Sequence, residues 1–110
     1  MIQDTIAKIE EKIRNNMSLS EDNKMELLSL LSQLNPQITE LSKTHTEYAE
    51  NIAGSLERSA DEALQEDKNP NLLKSEIESL SDSVKDFEVS HPKLVETVNY
   101  IATVLANMGI

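Results

Sequence analysis

The sequence predicts an all-α protein, a long antiparallel helical hairpin with coiled-coil character, and three observations predict it. Leu27, Leu31, Leu34, Ile38, Leu41, His45, Tyr48 and Ile52 recur at alternating steps of four and three, the a and d positions of one helix stripe. The same spacing returns in Leu73, Ile77, Leu80, Val84, Phe87, His91, Leu94, Val98, Ile101, Leu105 and Met108, a second seam of similar length. Finally, 110 residues include only three aromatics and two glycines, so the core must be built of Leu, Ile, Val, Ala and Met, the material of helical bundles. Helicity above about 70% is expected, in a single domain of about four helices over residues 1–110.

Taken in order, Ile2, Ile6, Ile9 and Ile13 mark a short amphipathic helix, with Asp4 near its positive end and Lys12 and Arg14 near its negative end. It should stop near Asn15 or Asn16. Ser20 then reads as an N-cap, with Asn23 at the third helical position, which leaves the capping box incomplete. The second helix starts at about Glu21. Its difficulty is Asn35-Pro36, because an interior proline removes a hydrogen bond and clashes one turn back, at about 3 kcal/mol. The seam nevertheless passes through the dipeptide in phase, so one kinked helix from about Glu21 to Gln65 is expected, the longest in the chain. Gly54 and the polar seam positions Ser55 and Ser59 weaken its far end.

The stretch from Glu66 to Asn71 is polar throughout and punctuated by Asn-Pro, the clearest turn in the chain. A third helix follows from about Asn71 to Glu88. Ser90-His91-Pro92 offers a new N-cap, with proline tolerated in a first turn, although here too the seam continues in phase. The last helix, from about Pro92 to Asn107, has hardly any polar face and must be covered on several sides. Gly109 is a natural C-terminal cap residue.

Ten basic against twenty acidic residues give a formal charge of -10 with no basic block, which argues against nucleic acid and anionic lipid as partners. The absence of cysteine removes disulfides, thiolate metal sites and a thiol nucleophile. Met1 to Lys12 is charged and amphipathic rather than a signal peptide, and no stretch reaches the roughly 20 apolar residues of a membrane span, so a cytoplasmic protein is expected.

Candidate chemistry is sparse. Glu88-Val89-Ser90-His91 has the Glu-x-x-His form of carboxylate-bridged di-iron bundles, but a second copy and two further glutamates are needed, and the chain has one other histidine, His45. Capping or packing is the expected role for His91. His45 and His91 both hold seam positions, and a hairpin turning at Glu66 to Asn69 would bring them to the same or adjacent layers, where imidazoles could sense pH; packed or edge histidines are the plainer reading. No Gly-x-Ser-x-Gly elbow, catalytic triad spacing or glycine-rich phosphate loop occurs, so no catalytic, cofactor or metal residue is assigned and no enzyme is expected.

Ile52-Ala53-Gly54, Asn69-Pro70-Asn71-Leu72-Leu73, Phe87 to Leu94 and the terminal Leu105 to Ile110 resemble a family of short, acidic, helical bacterial proteins catalogued as a domain of unknown function, whose members similarly carry Ser-His-Pro-x-Leu, an apolar last helix and a Gly-Ile terminus. The likeness is strongest from Asn69 onward. It implies a bacterial origin and an all-helical fold, and it supplies no activity, ligand or catalytic residue.

The function expected is therefore that of a non-enzymatic, homo-oligomeric helical protein working through protein contacts. A small-molecule or metal-binding sensor, pointed to only by Glu88 and His91, and an acidic mimic that occupies a basic partner are the alternatives. Two quantitative expectations follow. Antiparallel partners should have residue numbers summing to roughly 132 to 136, so that Leu31 lies near Ile101, Ile38 near Leu94 or Val98, and Tyr48 near Val84 or Phe87. A helix over 21–65 would be about 67 Å long, far more than helix one can cover. Leu56, Ala60, Ala63, Leu64, Leu72, Val95, Ala102 and Val104 would then need a second copy of the chain to cover them, most commonly in a symmetric dimer.

Overall fold

The three isoleucines of the N-terminal segment set the first helix. In the computed structural model, which describes residues 2–108, Ile6, Ile9 and Ile13 are each 1% exposed along one face of α1 (Ile2–Asn15), with Asp4 in its first turn and Lys12 and Arg14 in its last. Asn16 ends it: its Oδ1 accepts from the backbone N–H of Ser18 and Leu19, at 2.9 and 3.1 Å, while its Nδ2 donates to the Leu64 carbonyl at 3.1 Å. Ser20 then caps α2 (Glu21–Ser42) by accepting from the Asn23 N–H at 3.1 Å. The remaining elements are α3 (Thr46–Leu64), α4 (Pro70–Val84), a 3-10 turn (Lys85–Phe87) and α5 (Pro92–Met108). Together they place 84% of the described residues in helix, with no strand among them. Gly109 lies outside the described residues.

Pro36 does not break α2. The carbonyl it leaves without an N–H partner belongs to Ser32, and both residues lie on an exposed face where water can satisfy it. The interruption comes instead at 43–45, and it corrects the expectation of one helix over 21–65: there are five α-helices among the described residues, and α2 and α3 are separate. Ser42-Lys43-Thr44-His45-Thr46 contains no apolar side chain to pay for further helix, and its hydroxyls compete for the backbone. Thr46 Oγ1 donates to the Ser42 carbonyl at 2.8 Å, and the Leu41 carbonyl accepts the N–H groups of both Thr44 and His45. The third expected helix is also shorter than its seam, ending at Val84, with the 3-10 turn and 88–91 separating it from α5.

These two interruptions stand opposite one another in the hairpin, so the doubled rod folds back on itself at mid-length. α2, α3, α4 and α5 run alternately up and down as a four-helix bundle, each packed on its sequence neighbour, with α5 closing the ring against α2. α1 lies along α2 and α3. The extents of 37 × 25 × 21 Å exclude the rod of about 67 Å. Next to the turn the hairpin register is kept: Arg58 Nε meets Glu76 Oε2 at 3.2 Å, and the Tyr48 and Phe87 rings are 5.5 Å apart, both pairs inside the expected window.

Folding back removes the geometric case for a second copy. Leu56, Ala60, Ala63, Val95, Ala102 and Val104, which a straight two-helix arm would expose, are all buried within one chain. Of the residues that argument rested on, Leu64 is half-buried and Leu72 is 44% exposed. α3 carries most of the change, because Ala49, Ala53, Ala60 and Ala63 let neighbouring helices approach it on several sides. The 65–69 turn below it is tied by Glu62, only 7% exposed, whose Oε1 accepts from the Asn69 N–H at 2.8 Å. Asn69 in turn caps α4 by accepting from Asn71 and Leu72.

Candidate functional site: a ring-lined crease

At the end of the bundle where α2 gives way to α3, and the 3-10 turn to α5, the chain gathers its rings. His45 is the N-cap residue of α3 and Tyr48 lies in the first turn of that helix. Phe87 closes the 3-10 turn, and His91 immediately precedes α5. Ring centroids lie 6.1 Å apart for His45 and Tyr48, 5.5 Å for His45 and Phe87, 5.5 Å for Tyr48 and Phe87, and 5.9 Å for Phe87 and His91, all edge-to-face. This is the geometry that aromatic quadrupoles favour. Phe87, 6% exposed, is the hub, whereas Tyr48 is 52% exposed and His45 lies at the surface.

The two histidines are held in the same way. Each carbonyl accepts the first backbone hydrogen bond of its helix, from Ala49 to His45 at 3.0 Å and from Val95 to His91 at 3.2 Å. Each Nδ1 shares a hydrogen bond with the hydroxyl of the preceding residue, Thr44 at 2.8 Å and Ser90 at 3.0 Å, the direction following the imidazole tautomer. Ser90 therefore steadies the neighbouring ring, a role distinct from the cap expected for the Ser90-His91-Pro92 run.

Beside the rings, α2 and the start of α5 border an open groove of about 520 Å³ lined by Pro36, Gln37, Glu40, His91, Pro92, Lys93 and Leu94. Gln37 Oε1 is buried there without a hydrogen-bond partner. The turn that carries Glu88 also exposes Val89, at 96%.

Charges around the crease are unevenly paired. Lys43 Nζ meets Glu40 Oε2 at 3.0 Å, and Lys85 Nζ meets Asp82 Oδ1 at 2.7 Å. The hydrogen bond that Lys85 donates to Asp82, then the Asp82 charge and, against some desolvation, the charge of Glu88, hold the Lys85 ammonium above the usual lysine range. Glu47, Asp86 and Glu88 are exposed, and none of them lies within 4.0 Å of a basic nitrogen of the described residues.

Of the residues the sequence singles out, His45 and His91 are both brought to this crease, against the same phenylalanine. Glu88 follows the 3-10 turn and is exposed, within the turn closed by the hydrogen bond from the His91 N–H to the Phe87 carbonyl at 2.7 Å. Among the described residues no three His, Cys, Asp or Glu side chains converge as a metal-binding group. Sequence periodicity placed Tyr48 and Phe87 in the seams as core residues, which holds for Phe87; the signal that Tyr48 lies at a surface corner was the pair of stretches 42–46 and 88–91, polar but for Val89, at matching register. No helix of the described residues is long and apolar enough to cross a membrane.

No curated protein and no solved structure matches the chain. The model of the family described as Domain of unknown function (DUF4404) matches residues 27–110, from the second turn of α2 to the C-terminus, taking in both arms of the crease and leaving α1 outside. The chain belongs to this family of unknown function, DUF4404.

Proposed function

We propose that this chain is a protein-binding module without catalysis, and that its contact surface is the ring-lined crease. The observation that carries the reading is the concentration of rings: the chain has two tyrosines, one phenylalanine and two histidines, and four of these five meet at one end of the bundle. A purely structural role would bury them in a core that is otherwise Leu, Ile, Val and Ala. Tyr48 at 52% and Val89 at 96% exposure instead present apolar surface to solvent, and aromatic anchors dominate the energetics of protein interfaces. The partner in this reading is a different protein, since most of the residues that had called for a second copy are buried within the single chain.

A photo-crosslinking amino acid placed at Val89, in the native cell, tests this. The expected result is a discrete adduct with another protein, while the same group at Met17, 96% exposed at the opposite end of the bundle, gives none. Equal labelling from both positions, or no adduct from Val89, overturns the reading. Sedimentation equilibrium of the purified chain should give 12.3 kDa.

A further inference from the structure

We infer that the corner holding His45 and His91 is a hinge: the arm made of α3 and α4 swings away from α2 and α5 as one body, the interruptions at 43–45 and 88–91 become helix, and two opened chains close on each other by exchanging that arm. The pattern is the first ground. Both apolar seams pass through the interruptions in phase, from Leu41 to Tyr48 and from Val84 to Leu94, so each broken pair of helices is also a single continuous stripe. The backbone is the second. The His45 N–H donates to the Leu41 carbonyl at 2.9 Å and the His91 N–H to the Phe87 carbonyl at 2.7 Å, so a bond of α-helical span reaches as far as each histidine. Lys43 and Glu88 keep right-handed helical dihedrals, and no residue has the positive φ that fixes a helix C-terminus. His45, at φ -135° and ψ 62°, is where the first helix is turned aside. Nor does a cap hold that break in place: Ser20 and Asn69 cap α2 and α4, whereas α3 begins without a side-chain cap. Pro92 does not forbid a fused α4 and α5, since α2 already runs through Pro36.

The polar contacts sort into two bodies. Within the arm, Arg58 meets Glu76 at 3.2 Å and Glu62 closes the 65–69 turn; within the remainder, Lys24 Nζ donates to the Arg14 carbonyl at 3.4 Å and α2 packs on α5. Between the bodies stand the Lys12 bond to Asp61 at 2.6 Å, its approach to Glu57 at 3.6 Å and the Asn16 donation to the Leu64 carbonyl at 3.1 Å. All of them can be remade between two copies unchanged, because the arm that leaves one chain presents the same face to the other. This identifies the occupant as a second copy. An opened chain uncovers Leu56, Ala60, Val95 and Val104, and the surface complementary to them is the one the chain itself carries. Closure within one molecule wins at low concentration, so the exchanged pair belongs to concentrated or hinge-altered protein.

The chain has no cysteine, so cysteines introduced at Asp22 and Glu66, both exposed, can carry nitroxide labels for pulsed dipolar spectroscopy. In the closed chain these positions lie beside one groove, lined by Asn23 and Glu66; on a fused helix they stand about 60 Å apart. Dilution in unlabelled chain restricts the signal to distances within one copy. Thr44→Ala with His45→Ala, at two exposed positions, introduces a better helix former and should raise the open fraction roughly tenfold, seen as the long distance together with a mass of twice 12.3 kDa. Adding Thr46→Pro should abolish both, because proline suits the first position of α3 but not the interior of a fused helix. The parent chain held at about millimolar concentration just below its Tm, then cooled, should yield the same elongated dimer. A dimer showing only the short distance, a Thr46→Pro protein that dimerises as readily, or absence of the long distance from either the alanine variant or the treated parent overturns the inference. None of these outcomes bears on the adduct formed at Val89, which tests the protein-binding reading separately.

Discussion

Ser59 sits in the middle of α3 with 0% exposure, and its hydroxyl has no hydrogen-bond partner; Ser55, one turn earlier at 3%, is in the same state. Most substitutions in a packed interior are destabilising, but Ser59→Ala should run the other way. A buried hydroxyl without a partner forfeits its hydration, at about 1–3 kcal/mol. Alanine removes that oxygen without opening a cavity larger than one atom, and it is the better helix former by up to about 0.5 kcal/mol. The net gain is about 1–2 kcal/mol, or roughly 4–12 °C in Tm for a domain near this size. Urea unfolding followed by far-ultraviolet circular dichroism should show a higher midpoint with an unchanged slope, the signature of a pure stability change. Ser59→Val serves as a control, since the added methyl groups overpack the site and should cost about 1–3 kcal/mol. A Ser59→Ala protein no more stable than the parent would refute the reasoning, because it would mean that the hydroxyl is bonded in solution, most simply to the Ser55 carbonyl.

Three further outcomes are expected. Glu62→Ala should cost about 1.5–3 kcal/mol, because the Asn69 N–H loses a charged acceptor at 2.8 Å, and Glu62→Gln, which keeps an acceptor oxygen, should cost less; equal losses in calorimetry would show that burial of the stem, rather than the turn closure, is what matters. Lys12 bonds Asp61 at 2.6 Å, and that bond, with the charges of Asp61 and Glu57, raises its pKa against the opposing desolvation. Its stabilisation is therefore full below the unfolded value near 10.5 and is lost as pH rises through the higher folded value, so Lys12→Met should cost under about 1 kcal/mol at neutral pH and almost nothing well above 10.5, in melts taken across that range. Pro36→Ala returns an N–H to the Ser32 carbonyl and should stabilise α2 by up to about 3 kcal/mol; a lower Tm would show instead that the bundle packs around a bend set by the proline.

The elements that the sequence made legible are those governed by local chemistry. Asn16, Ser20 and Asn69 each act within a few residues of themselves, and the starts of α1, α2 and α5 fall within a residue or two of where spacing and caps put them. The break at 43–45 was harder to read because the heptad phase is continuous across it. Phase reports which face of a helix is apolar, and both α2 and α3 turn that face to the same core, so a fold between them leaves the pattern undisturbed. The competing signal was the run of hydroxyl residues from Ser42 to Thr46, which offers the backbone other partners. At the site, pairing of Tyr48 with Phe87 followed from the register, whereas the exposure of Tyr48 did not.

By itself, then, the sequence determined the helical class, the seams, the 65–69 turn and the antiparallel register, because each depends on residues close in the chain or on a pairing that the turn fixes. Tertiary structure decided that the hairpin doubles back. Whether a helix continues through five polar residues depends on the free energy of the alternative, here the burial of Leu56, Ala60, Val95 and Val104 against other helices of the same chain. That balance is a property of the packed whole, and it converts a two-helix rod into a bundle that buries most of those residues within one chain. It also leaves two seam positions, His45 and Tyr48, at the surface beside Phe87 and His91, at the end of the bundle where α3 begins.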